Sequence, residues 1–499
     1  MEGLLGGFIV ALKPMNLVFC FGGALIGTLI GVLPGLGPTA AIAMLLPLTI
    51  GLDPVSAIIM IAGIYYGASY GGSTTAILVK IPGEAQSVVT CLDGYKMAQQ
   101  GRAGSAIAIA AIGSFVAGTV GALAIGLISM PLVEFAIRFG PAENLSLLLL
   151  GFIVILVLAK GNVVKSLIMI VAGLLLAMVG QDVITGQPRF TFGIPELTDG
   201  FGVVVVAMGI FGLGEVLENV EKFRTRSMQA VPVGSLMPTK EDWKRSAMPI
   251  ARGSVLGFLI GLLPGGGATL ASFISYGVEK KFTKHPEEFG NGAVEGVAGP
   301  EAANNAGAAG SFIPLLALGL PGNPVTALLL GALIVHNVTP GPLMIQERPE
   351  IFWGVVASMY VGNVMLVALN LPLIGIWVQL LKVPYRALYA ALILFMIIGA
   401  YSLNNNPVEV LLLLLFGVLG YGLRKLRFDT APLILAFVLG GPIEFNLRQT
   451  MMLARDPLDY LMGRPIALTI LGFGLLLIVL PMFSKVRQKL MVARAVNEL

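Results

Sequence analysis

A short phrase occurs twice in this 499-residue chain, once as Gly31-Val32-Leu33-Pro34-Gly35-Leu36-Gly37-Pro38-Thr39 and again as Gly261-Leu262-Leu263-Pro264-Gly265-Gly266-Gly267-Ala268-Thr269. The shared residues are Gly31/Gly261, Leu33/Leu263, Pro34/Pro264, Gly35/Gly265, Gly37/Gly267 and Thr39/Thr269, followed by Ala41/Ala271. Both copies interrupt long apolar runs. A Pro-Gly pair with a further glycine stops a helix, because proline lacks a backbone donor and glycine weakens the helical state. Broken backbone at membrane depth survives only where protein buries it or where it lines a cavity. A matched pair of breaks, one in each half of a chain, points to the binding site of a transporter.

The duplication extends further. Ile81-Pro82-Gly83 matches Leu320-Pro321-Gly322, and Gly71 then falls on Gly310. The offset is 230 residues at the first break (261 − 31) and 239 at the second (320 − 81). The charged insert that begins at Glu279-Lys280-Lys281 accounts for the difference. Of the whole chain, 56% is hydrophobic and only 12% charged, against about 25% charged in a soluble domain. Apolar runs such as 145–158 and 410–419 are continuous, unlike the alternating segments of a membrane β-barrel. The expected fold is all-α: a polytopic helical membrane protein of two internally duplicated repeats with broken or re-entrant helices and about 10–14 membrane segments. Inverted orientation of the repeats is expected from transporter architecture.

Spans read at 16–34, 55–81, 104–131, 145–159, 162–179 and 201–217, with 38–50 too short to cross. In the second half they read at 325–345, 352–381, 386–401, 407–423, 428–443 and 465–483. The N-terminal run leads straight into the first break and reads as a membrane segment, not as a cleaved signal peptide. The predicted organisation is a first transmembrane repeat over 1–217, a basic linker over 218–252, a second repeat over 253–464, and a last helix with a basic tail over 465–499. The linker carries Lys222, Arg224, Arg226, Lys240, Lys244, Arg245 and Arg252, which places it in the cytoplasm by the positive-inside rule. With linker and tail on one side, the second half needs an extra terminal helix, for which 465–483 is the candidate.

Several function classes drop out. Cys20 and Cys91 support neither a disulfide framework nor a metal site, and His285 and His336 are far apart. His336 reads as a core or boundary residue. No Walker phrase is present, so transport by this chain alone is not driven by ATP. A net charge of +4 is small for the length and fits cytoplasmic loops better than nucleic-acid binding. An enzyme would need a cluster of acids, histidines, or a nucleophile with its base; none is visible, and no cofactor is expected beyond sodium as a coupling ion.

A helix restarting after a break presents free N–H groups and about half a positive charge, which suits a carboxylate. The opposing helix ends offer carbonyl oxygens to a small cation. The substrate-binding candidates are therefore Gly35, Gly37, Thr39, Gly265, Gly266, Gly267 and Thr269, joined by Asn304 and Asn305, adjacent amides in a small-residue segment, and by Lys80. Lys80 lies within an apolar run, where a lysine pairs with an anionic substrate, snorkels to an interface or meets a structural acid. The ion-coupling candidates are Ser73, Thr74 and Thr75 with Pro82, Gly83, Pro321 and Gly322. Glu301 follows Pro300 and reads as a first-turn acid complementing a helix dipole.

The chain resembles the large membrane subunit (TctA family) of the bacterial tripartite tricarboxylate transporters. The resemblance rests on the first phrase, on Tyr70-Gly71-Gly72-Ser73-Thr74-Thr75 with Ile81-Pro82-Gly83-Glu84, on Leu92-Asp93-Gly94-Tyr95, on Arg189-Phe190-Thr191-Phe192-Gly193, on the second phrase, and on Pro300-Glu301-Ala302-Ala303-Asn304-Asn305-Ala306. It implies a multi-pass protein of the bacterial cytoplasmic (inner) membrane that imports tricarboxylates such as citrate, or related organic anions, by sodium or proton symport. It implies two partners, a small membrane subunit and a periplasmic substrate-binding protein; a homodimer is among the assemblies open to it. Lys80 stands where the family pattern has a small polar residue, which separates this chain from direct transfer of citrate specificity. The alternative reading is a self-sufficient secondary transporter or antiporter for an organic anion.

Overall fold

A computed structural model describes residues 2–33, 35–158, 162–182, 184–222, 230–263, 267–381, 385–453 and 457–479. Pro34, Gly265 and Gly266 lie outside the described residues, as do Arg224, Arg226 and the basic tail. The first half opens with α1 (Glu2–Ala11), α2 (Pro14–Gly31), α3 (Pro38–Leu45), α4 (Pro54–Val79), α5 (Thr90–Met97) and α6 (Ala103–Ala136). It continues with α7 (Pro141–Leu158) and α8 (Val163–Ala177), a two-stranded hairpin of β1 (Gly180–Gln181) and β2 (Pro188–Arg189), then α9 (Val203–Ala207), which passes through a wide turn into α10 (Gly214–Lys222).

The second half holds α11 (Lys240–Gly261), α12 (Gly267–Phe282), α13 (Glu295–Gly310), α14 (Phe312–Leu318), α15 (Pro324–Val335), α16 (Met344–Glu347) and α17 (Pro349–Asn370). It ends with α18 (Ile374–Leu380), α19 (Tyr385–Asn404), α20 (Pro407–Lys425), α21 (Ala431–Leu453) and α22 (Pro457–Met462), before an apolar helix at Pro465–Val479. Among the described residues seven helices are long and apolar enough to cross a membrane, and six shorter apolar ones accompany them. The chain is an all-α polytopic membrane protein. The segments read as spans at 145–159, 162–179, 325–345, 386–401 and 465–483 fall among the shorter helices, and so does 38–50, read as too short to cross.

Local chemistry sets the helix starts. Asp53 caps α4 through the Val55 N–H at 3.2 Å, with Pro54 at the first helical position. Thr239 and Asp242 form a capping box at the head of α11. That helix therefore begins at Lys240, inside the span expected to be a linker up to residue 252. Two of its arginines are paired within packed structure: Arg245 with Glu288 and Glu295 at 2.6 and 2.8 Å, and Arg252 with Glu279.

Glycine stripes then set the packing. On α2, a Cβ added at Gly23, Gly27 or Gly31 would lie 2.2–2.4 Å from the carbonyl oxygens of Met60, Ile64 and Ala68 on α4. On α11, one added at Gly253, Gly257 or Gly261 would lie 2.2–2.4 Å from those of Gly299, Ala303 and Gly307 on α13. The backbones meet because nothing but hydrogen stands between them. The glycines are related by 230 residues and their partners by 239, the two offsets of the breaks. In both pairs the numbering rises together, so α2 runs parallel to α4 and α11 parallel to α13.

Between the halves the sense reverses. Tyr65 and Tyr66 of α4 stack on Phe312 with centroids 6.2 and 5.8 Å apart, Ser73 bonds to Glu301 at 2.6 Å, and Ile77 and Val297 both border Gly94. As residue numbers climb along α4 they fall along α14 and α13. The matched helices are antiparallel, which is the relation an inverted pair of halves requires.

Candidate functional site

The four breaks meet. After α2 the chain turns through Gly35, at φ +81°, a left-handed value that glycine adopts without strain. It restarts as α3 behind Gly37. After α4 it turns at Lys80 (φ 58°) and resumes as a short 3₁₀ helix, Ala85–Val88, capped by Glu84 and Ser87 in a reciprocal box. In the second half α12 starts at Gly267, α14 ends at Gly319 (φ 71°), and α15 starts at Pro324 under the Asn323–Thr326 box. Lys80 and Gly319 are thus equivalent left-handed stops, and Glu84 and Asn323 equivalent caps.

Within each half the two breaks touch. A Cβ on Gly37 would lie 3.9 Å from Cβ of Glu84, and one on Gly267 would lie 3.5 Å from Cβ of Asn323. The halves also interleave: α3 packs on α15, and α12 packs on the 85–88 segment, with the Ser272 hydroxyl donating to the Gln86 carbonyl at 2.8 Å. Helix starts converge here, and their N–H groups favour negative charge.

The two halves use this alike in shape but not in charge. In the first, the Gly37 N–H donates to Glu215 Oε1 at 3.1 Å, while Glu215 Oε2 takes a bond from Arg424 at 2.8 Å. Asn219 donates to the Gly35 carbonyl at 2.7 Å. Glu84, 8% exposed, accepts from Gln86 Nε2 at 2.8 Å on Oε1, and its Oε2 has no partner. In the second half the cap is the neutral Asn323, whose Nδ2 is buried without an acceptor. Tyr65, buried, lies beside the Ser311 and Asn323 side chains.

A second polar centre lies next to the breaks. Glu301 is fully buried in the interior of α13. Its carboxylate accepts from the Ser73 hydroxyl at 2.6 Å, from the Thr90 hydroxyl and from Asn304 Nδ2 at 3.2 Å. Asn305 Nδ2 donates to Asn304 Oδ1 at 2.6 Å and to Ser114 Oγ at 2.7 Å. Glu301 is therefore no first-turn residue: α13 begins six positions earlier, at Glu295, and runs through Pro300.

Of the residues singled out in the sequence, Gly35, Gly37 and Gly267 stand at the breaks, and Ser73, Asn304 and Asn305 in the Glu301 centre. Thr39 and Thr269 are half-buried in the first turns of α3 and α12. Thr74 and Thr75 turn their hydroxyls to backbone: Thr74 to Tyr70 O at 3.5 Å, Thr75 to Val32 O at 2.8 Å, which stitches the frayed end of α2 to α4. Pro321 and Gly322 are buried and Pro82 half-buried. Gly83 packs so tightly that a Cβ would be 2.5 Å from Gly31 O. Lys80 is exposed, with Nζ 5.8 Å from the Tyr95 ring centroid, because α4 ends one residue before it. His336 is half-buried at the end of α15, with Nε2 3.4 Å from the Thr49 hydroxyl.

Sequence reasoning passed over Glu84, Asn323, Glu215 and Tyr65. For the first two a signal existed: Glu84 follows Pro82-Gly83 as Asn323 follows Pro321-Gly322. For Glu215 none did, since its partner Gly37 is 178 residues away. No group of three or more His, Cys, Asp or Glu side chains able to hold a metal ion occurs among the described residues.

Comparison with known proteins agrees with this architecture. The tripartite tricarboxylate transporter TctA family matches residues 17–435. An uncharacterised 52.8 kDa protein in the TAR-I ttuC' 3' region of Agrobacterium vitis is 52% identical over 483 residues, covering 97% of this chain and 96% of that protein. An uncharacterised protein in the TAR-II ttuC' 3' region of the same organism is 52% identical over 233 residues, 47% of this chain and 96% of its own length. No solved structure matches. With a family match spanning both halves and all four breaks, the chain belongs to the tripartite tricarboxylate transporter TctA family, a family of transporters and not of enzymes.

Proposed function

We propose that this chain is the large membrane subunit of a binding-protein-dependent secondary transporter in the bacterial inner membrane. It imports tricarboxylates or related organic anions by sodium or proton symport, together with a small membrane subunit and a periplasmic binding protein. The observation that carries the reading is the meeting of four helix breaks beside a buried polar centre in a chain without an ATP-binding phrase. The charge asymmetry supports a division of labour between the ends. The first-half starts already face the chain's own carboxylates, Glu84 and Glu215. The second-half starts face neutral Asn323, whose unpartnered Nδ2 is a donor suited to a substrate carboxylate. The anion is therefore held chiefly by the second-half breaks.

Uptake in proteoliposomes containing this chain and its partner subunits tests the reading, with a carboxylate panel under separate sodium and proton gradients. Gradient-driven uptake of at least one carboxylate, dependent on the binding protein, is the expected result. Failure to transport any carboxylate with all partners present would overturn it, and uptake by this chain alone would favour a self-sufficient transporter.

A further inference from the structure

A small cavity lies one hydroxyl away from Glu301. Its polar lining is Tyr70, Ser73 and Thr74 from α4, Ser114 from α6 and Asn370 from α17. Two of these residues carry an oxygen with no hydrogen-bond partner, Tyr70 Oη and Asn370 Oδ1, although they are only 4% and 1% exposed. A third such oxygen, Asn305 Oδ1, belongs to the amide that donates to Ser114 Oγ. Buried polar atoms left unpaired are costly, and native chains rarely keep them without a reason. Both asparagine oxygens can only accept. Their Nδ2 groups are already engaged, Asn370 Nδ2 with Leu366 O at 2.9 Å and Asn305 Nδ2 as above.

Among the described residues no cation pairs with the site; Lys80 is exposed at the end of α4 and acts on Cys91. Glu301 forms no ion pair among the described residues; its partners are two hydroxyls and an amide. The ionisable groups around it are Tyr70 on α4, Glu84 after α4 and Cys91 on α5. Arg252 of α11, one turn away along α13, is committed to Glu279 of α12. A buried carboxylate facing another carboxylate, with lone-pair oxygens gathered beside it, calls for a cation. The cavity has room for about one water-sized particle, which suits a dehydrated sodium ion.

We propose that this cavity is a sodium site, with Tyr70 Oη, Ser73 Oγ, Ser114 Oγ and Asn370 Oδ1 as ligands and Glu301 supplying the balancing charge through Ser73. The inference rests on the transport reading only for its role, as the site of the coupling ion. The ligands come from both members of the antiparallel system, α4 and α6 of the first half and α17 of the second, with Glu301 on α13. A cation there ties the two halves together, and any sliding of one past the other changes its coordination.

Thermal unfolding of the full-length chain in detergent reads the site without transport. Sodium chloride is titrated against potassium and choline chloride at constant ionic strength. The wild type is stabilised by sodium selectively. Glu301→Gln loses the effect, and Tyr70→Phe, which keeps the ring and removes one ligand, weakens apparent sodium affinity by about threefold or more. Equal responses to sodium, potassium and choline overturn the site, as does a sodium effect that survives both substitutions. Stabilisation that follows pH and ignores sodium also overturns it and makes Glu301 a proton carrier. If sodium binding fails while carboxylate uptake persists, this site falls and the transport reading stands; if sodium binds but no carboxylate moves with partners present, the reverse holds.

Discussion

Lys80 and Glu84, four positions apart in one loop, divide between conformation and chemistry. Lys80 holds a left-handed backbone at the end of α4, in the place where the second half uses Gly319. A lysine there is strained where glycine or asparagine is not. Lys80→Gly is expected to raise stability by up to about 1 kcal/mol and to leave the apparent KM for uptake within about twofold, since the side chain is exposed with its Nζ near the Tyr95 ring. A loss of substrate affinity in that variant would return the lysine to the binding site. Glu84 is the opposite case: buried, with one oxygen unpartnered, over the Gly37 break. Asn323→Ala, at the equivalent cap, removes both the capping acceptor and the donor offered to substrate. It should lower stability by about 1 kcal/mol and raise the KM for a carboxylate about tenfold or more, whereas a pure capping role predicts the stability loss alone. Hydropathy alone places the lysine inside an apolar run; the turn that exposes it depends on a single φ angle that composition does not encode.

At the scale of elements, the glycine periodicity separates two residues that look identical in sequence. Gly23 of α2 meets the Met60 carbonyl, where a Cβ would come within 2.2 Å of backbone, while its neighbour Gly22 has nothing within 4 Å. Gly23→Ala must push two helix backbones apart and should cost about 1–3 kcal/mol. Gly22→Ala gains helix propensity and should be neutral or stabilising by up to about 1 kcal/mol. Thermal unfolding of the two variants side by side checks the register of the α2–α4 contact, and equal effects would show that register to be wrong. The breaks themselves were legible, since Pro-Gly leaves a helix little choice. The start of α11 was not, because a run of arginines and lysines reads as a solvated linker until its acidic partners, Glu279, Glu288 and Glu295, fold back over it. Those partners lie 27–50 residues further on, beyond any local pattern.

For the whole molecule, the two offsets between matching phrases were visible in the sequence, but the relative direction of the matching helices was not, because identical phrases read the same whichever way a helix points. The contacts supply the direction and with it a sidedness. The end of α4 is tied to the linker by the Val231 N–H on the Leu78 carbonyl at 3.1 Å. Along α10, Glu215 meets Gly37 and Asn219 meets Gly35, so α10 climbs towards the same face as α2 and α4. The loop preceding α9, with the hairpin that Arg189 and Arg448 fasten to Glu444 at 2.7 and 2.6 Å, is therefore on the opposite face. Phe192 in that loop is 84% exposed and Met237 in the linker 82% exposed, while native Cys20 and Cys91 are 2% and 8% exposed and contribute little background. On the proposed inner-membrane placement with the linker in the cytoplasm, a membrane-impermeant maleimide should modify Phe192→Cys in cells whose outer membrane alone is opened. Met237→Cys should react only after the inner membrane is breached. Labelling of both variants from outside would contradict the opposed faces, and the reverse pattern would turn the molecule over and place the basic linker in the periplasm.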